Sequence, residues 1–150
     1  MMRTIGDPRV LAQLQARVRT LTPDSPRKWG KMNVQQMLSH IGGAMEWVLE
    51  GGEARMWESP MNPFLKFIAF RVPLPWPRGI PNPNDPAGVD VPAAEFEALQ
   101  RRVLEALEAM GTWEVSQETP PHPAFGPLTT WEWKRWAFKH ADHHLKQFSA

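Results

Sequence analysis

The chain has no cysteine, no tyrosine, almost no excess charge of either sign, and no long apolar run free of prolines or charges. Each absence excludes something. Without cysteine there can be no disulfide, thiolate metal site, iron-sulfur cluster or internal thiol nucleophile, so any sulfur chemistry needs a thiol from outside. The same absence fits a reducing compartment. A net charge of +1 from interspersed acids and bases, with only short basic pairs such as Arg101-Arg102, leaves no electrostatic footprint for nucleic acid. The greasiest stretch, Pro63 to Trp76, is broken by Lys66, Arg71 and prolines, so no membrane span is expected. The start, Met-Met-Arg-Thr-Ile-Gly-Asp-Pro, lacks the apolar core of a secretory signal, and a cytoplasmic location is expected.

Proline and tryptophan, by contrast, are plentiful. A chain of 150 residues has the usual size of one domain, expected here over residues 1–150, and eight tryptophans imply either much buried surface or a broad apolar pocket. The prolines crowd between Ser59 and Pro92, which excludes one continuous helix there but leaves room for a short apolar turn or helix over Pro63 to Phe70. That segment is read as one long crossover.

Four stretches on either side carry helical signals. Asp7-Pro8 starts the first, and Val10, Leu11, Leu14, Val18 and Leu21 recur at helical spacing until Pro23. Asn33 and Gln36 resemble a capping pair for the second, whose stripe of Val34, Met37, Leu38, Ile41, Met45 and Val48 runs to Gly51-Gly52. The third spans about Ala93 to Met110, with Phe96, Leu99, Val103, Ala106, Leu107 and Met110 inward and Gly111 expected as its cap. Thr129 and Glu132 form a Thr-x-x-Glu capping box for the last, which continues to Phe148. No strand signal competes. The expected fold is an all-α four-helix bundle with one long connection between its second and third helices.

On a wheel of the last helix, Glu132, Arg135, Lys139, Asp142 and Lys146 share a side expected to face water. Trp133, Trp136, Ala137, His140 and His144 lie nearly opposite, with His143 near the polar border. Residues four apart on a helix stand roughly 6 Å from each other, so two imidazoles can reach one ion. Such a pair also fits hydrogen-bonded core histidines or the border of a pocket. His40, on the flank of the second helix's apolar stripe, adds a third imidazole. If the two helices are antiparallel, His40 and the pair lie roughly 10 Å from the same end, at about 1.5 Å per residue. Three buried neutral imidazoles with nothing to bind would be costly, and a metal satisfies one nitrogen on each.

Three segments resemble the DinB/YfiT-like superfamily, in particular its DUF1569-type branch. They are Trp29-Gly30-Lys31-Met32 leading to Gln36-Met37-Leu38-Ser39-His40, then His122-Pro123-Ala124-Phe125-Gly126-Pro127-Leu128-Thr129, and Lys139-His140-Ala141-Asp142-His143-His144-Leu145-Lys146-Gln147-Phe148. The resemblance implies an up-down-down-up bundle, with the second helix parallel to the third and antiparallel to the last. It also implies a divalent metal, often zinc or nickel, on His40, His140 and His144. Three imidazoles by themselves suit zinc, nickel, copper and iron alike. Better-studied relatives activate a small thiol with such a metal, an activity that does not transfer with the ligands alone.

Other residues have two readings each. His122, in Pro-Pro-His-Pro, is a rigid loop imidazole bonded to backbone, or a rim residue above the metal. Gln147 either holds a ligand imidazole or contacts substrate, or else makes a hydrogen bond at the bundle end. Trp47, Trp133 and Trp136 either wall a cavity or are plain core. Trp131, Phe138 and Leu145 form a heptad-spaced stripe, covered either by a homodimer partner or by the Pro63 to Phe70 segment folding back.

Three histidines leave coordination positions open, the mark of a catalytic site, and metal-dependent hydrolysis or thiol S-transfer is the leading expectation. The substrate is then a small molecule or low-molecular-weight thiol. No general base is visible, because no carboxylate shares the histidine faces. The alternatives are a non-catalytic, stress-associated metal-binding bundle, and a metal-free bundle whose histidines border an organic ligand.

Overall fold

The computed structural model describes residues 2–53, 63–80 and 86–150. Over these described residues it is all-α, with five α-helices: α1 Pro8–Arg19, α2 Val34–Leu49, α3 Pro63–Arg71, α4 Phe96–Thr112 and α5 Thr130–Gln147. Among the described residues there is no strand, only an isolated bridge between His122 and Gly126. Likewise, no helix of these residues is long and apolar enough to cross a membrane. Parts of the proposed crossover, residues 59–62 and 81–85, fall outside the described residues.

Local signals set most helix ends. The Asp7 side chain accepts from Arg9 N–H, and Pro8 occupies the first turn of α1. Both reciprocal bonds of a capping box form at Asn33/Gln36 and at Thr129/Glu132, which satisfies amides that a helix start otherwise leaves unpaired. The expected cap at Gly111 is wrong, since α4 continues through it to Thr112 and Trp113 is the cap. Gly111 is small because α1 and the N-terminal strap before it, residues 2–7, press on it. A Cβ there would stand 3.0 Å from Leu11 Cδ2 and 3.4 Å from the Ile5 carbonyl oxygen.

The apolar stripes of α1, α2, α4 and α5 meet in one core cluster that includes Leu14, Met37, Ile41, Met45, Leu107, Met110, Trp133 and Leu145. α2 packs against α4 and α5, and α1 does the same. Arg102 on α4 pairs with Glu46 on α2 through its Nε at 2.6 Å, a half-buried link at the edge of that contact.

α3 lies against α5. Phe70 is buried beneath it, edge-on to Phe125 at 4.9 Å between ring centres. Arg71 stacks over Trp131 at 4.3 Å, and Lys66 Nζ donates to the Pro127 carbonyl at 2.9 Å and lies 3.3 Å from Glu132. In the middle of the heptad stripe, Arg3 covers the Phe138 ring at 4.9 Å. Trp131 is thus met by Arg71 at the end of α3, whereas Phe138 is met by Arg3 and Arg135, which lie outside the Pro63 to Phe70 segment expected to fold back over the stripe.

This packing overturns one expectation. The charged side of α5 does not simply face water, because Arg135 and Lys139 are only 4 % and 6 % exposed. Arg135 Nη1 donates to the Arg3 carbonyl at 2.7 Å, and Lys139 Nζ donates to the Ala69 carbonyl at 2.5 Å. Burial, together with the Arg135 charge, pushes Lys139 down to about 8. The N-terminal strap and α3 supply carbonyl oxygens to cations that a single-helix projection places outside.

Candidate metal centre

His40 sits in the middle of α2, and His140 and His144 sit one turn apart on α5, His144 in its last turn. Each ring centre lies 4.8 Å from the other two, and all three pairs meet edge to face. His140 Nε2 is 2.9 Å from His40 Nε2. One nitrogen per ring can be chosen so that all three lie within 4.8 Å of one another. Two nitrogens on one tetrahedral zinc stand roughly 3.3 Å apart, so the observed spacings bracket what a shared ion requires.

The protonation state also suits a cation. Burial, followed by the neighbouring imidazoles, holds His140 well below its usual value. Burial lowers His40 to about 4 and His144 to about 3. All three rings are then neutral at pH 7 and offer lone pairs without first losing a proton. His140 Nδ1 is buried with no hydrogen-bond partner among the described residues. The donor set, three neutral imidazoles facing one point, fits a divalent transition metal.

Aromatic rings close one side. Trp136 lies 5.0 Å from His140 and Trp76, from the segment after α3, lies 6.1 Å from it on centres. His143, which the wheel places at the border, stands 5.1 Å from His144 and 4.9 Å from Trp29. Its position three residues after His140 is the signal that could have included it. Trp47 belongs elsewhere: its indole Nε1 donates to the Glu53 carbonyl at 3.2 Å at the end of α2, where its ring lies against Gly52.

His122 is structural. Its Nδ1 accepts from Ala124 N–H at 3.1 Å, while a two-way backbone bridge to Gly126, both bonds 2.8 Å, closes the loop. The ring packs at 5.6 Å from Trp133 and 5.9 Å from Trp136, and burial lowers it to about 4. In an unfolded chain this imidazole titrates near 6.5, so below that value the unfolded state binds the extra proton first. Stability is expected to fall as pH drops from about 6.5 to about 4, by up to about 3 kcal/mol from this ring. Urea unfolding of wild type and His122→Asn at pH 7.5 and 4.5 checks it. The variant should lose less on acidification, and equal losses would show that His122 does not contribute.

An all-helical chain in which two helices bring three imidazoles to one point is, by class, a helical protein with a candidate metal site. The family is shown directly: the chain belongs to DUF1569, described as "protein of unknown function", whose family model matches residues 9–150. No curated protein and no solved structure matches it.

Proposed function

We propose that the chain is a metal-dependent enzyme built as a DinB/YfiT-like four-helix bundle of α1, α2, α4 and α5, with zinc or nickel on His40, His140 and His144. The observation that carries this reading is the convergence of three neutral imidazoles from α2 and α5 at 4.8 Å ring separations. A divalent ion held there supplies a Lewis acid that renders a water or a small external thiol nucleophilic near neutral pH. The chain does the rest. Trp136 and Trp76 exclude water from the His140 side. Among the described residues, the groups whose charges act on the three rings are other histidines, not carboxylates. Proton transfer at the site therefore falls to His143, a half-buried ring beside His144 that burial holds below its usual value, with Asp142 opposing that shift, so that it is a neutral proton acceptor near pH 7. Hydrolysis, or transfer of a low-molecular-weight thiol to an electrophile, follows from that equipment.

Elemental analysis and a thiol-conjugation assay test the reading together. One ion per chain and measurable conjugation are expected for wild type, and His140→Ala should lose both. His143→Asn should keep the ion and lose about 100-fold or more in turnover. Substoichiometric metal after zinc and nickel are both supplied would sink the site. The near-complete burial of His140, 6 % exposed, favours a second reading in which the ion only ties α2 to α5. Full metal with no turnover in any assay would establish that one.

A further inference from the structure

Gln147 and the Trp29-Gly30 turn take no part in the chemistry just described, yet they meet beside the third histidine. Lys28 N–H donates to the Gln147 carbonyl at 2.6 Å, which ties the loop before α2 to the last turn of α5. Gly30 has φ +86°, a left-handed conformation suited to glycine, and a Cβ there would stand 2.7 Å from Gln147 Nε2. The missing side chain at Gly30 thus leaves the room that the nitrogen side of the buried amide occupies. Its oxygen lies 2.6 Å from His144 Nδ1. An amide oxygen carries no hydrogen, so Nδ1–H must be the donor, and the single proton of the neutral ring sits on Nδ1. The lone pair is left on Nε2, across the ring from Gln147.

We propose that Gln147, in the room left by Gly30, is a positioning residue that locks His144 in the Nδ1–H tautomer and presents Nε2 to the space shared with His40 and His140. The glycine turn at the start of the chain and the glutamine near its end then form one device, which accounts for a motif that the metal ligands alone leave unused. The consequence for metal binding rests on the proposed function, whereas the tautomer itself does not. Without the amide, the proton of His144 is free to occupy Nε2 and block that donor. Second partners of this kind change metal affinity by about 10–100-fold.

The test uses the full chain. Nitrogen-15 NMR of the imidazoles in metal-free protein reads the tautomer, and competition with a chromophoric chelator reads zinc affinity. Wild type should show His144 protonated on Nδ1. Gln147→Met, similar in length but without a strong acceptor, should show the other tautomer or a mixture and bind zinc about 10–100-fold more weakly. Gln147→Glu, which restores an acceptor, should recover both. If Gln147→Met does not fold, Gly30→Ala, which displaces the amide without removing it, makes the same comparison. A His144 that stays protonated on Nδ1 in Gln147→Met or Gly30→Ala overturns the proposal, as does wild-type zinc affinity in the variant. Failure of wild type to bind zinc would sink the metal reading, and the NMR comparison would still decide the role of Gln147.

Discussion

Zinc added to the metal-free protein is expected to raise its melting temperature by roughly 5–10 °C, and His140→Leu is expected to abolish that rise while melting above metal-free wild type. An ion that binds only the folded state at about 100 times its dissociation constant contributes about 2.7 kcal/mol, and a chain of this size gains about 2–4 °C per kcal/mol. The opposite sign in the metal-free variant comes from His140 itself. Its Nδ1 is buried without a partner among the described residues, at 6 % exposure of the residue, and such a group costs about 1–3 kcal/mol. Leucine removes that cost and fills most of the same volume against Trp136. His40, half-buried, can turn its freed nitrogen toward water. Thermal scans of chelator-treated wild type and variant, with and without zinc, decide the matter. Equal zinc shifts in the two proteins would remove His140 from the site. A metal-free variant several degrees less stable than wild type would show that the ring serves packing, not a ligand.

That exchange of stability for a binding site also shows which features can be read from a sequence and which cannot. The helix starts at Asn33 and Thr129 are legible because each cap is decided within four residues, and both capping boxes form as the spacing implies. The histidine trio is legible because a helix keeps residues four apart on one face, and His40 needs only a facing helix at the same level. The burial of Arg135 and Lys139 is not legible. Their partners, the carbonyls of Arg3 and Ala69, come from segments 132 and 70 residues away, and a wheel contains only its own helix. Gly111 misleads for a related reason. Glycine suits a left-handed cap, but it suits a close crossing equally, and only the neighbours Leu11 and Ile5 separate the two uses. The role of Gln147 lies between these cases, since its proximity to His144 follows from helical spacing while the room left by Gly30 does not.

Trp133→Ala is expected to destabilise the fold by about 3–5 kcal/mol, whereas Trp133→Phe should cost no more than about 1 kcal/mol. Trp133 is wholly buried at 0 % exposure, with Trp136 edge-on at 5.3 Å, His122 at 5.6 Å and Trp113 edge-on at 6.5 Å. Alanine leaves a cavity among rings too large to collapse into it. Phenylalanine leaves a smaller void and also removes the indole Nε1, a buried donor without a partner among the described residues, so the two changes oppose each other. A loss of 3–5 kcal/mol is a large part of the roughly 5–15 kcal/mol that holds a typical domain together. Its effect should reach the histidines through a shared neighbour, because Trp136 lies 5.3 Å from Trp133 and 5.0 Å from His140 on ring centres. Zinc affinity should therefore weaken in Trp133→Ala and hold in Trp133→Phe, even though residue 133 touches none of the three rings. Urea denaturation gives the stabilities and chelator competition the affinities. An alanine variant within about 1 kcal/mol of wild type would mean that the aromatic cluster is not the wall on which the site is built.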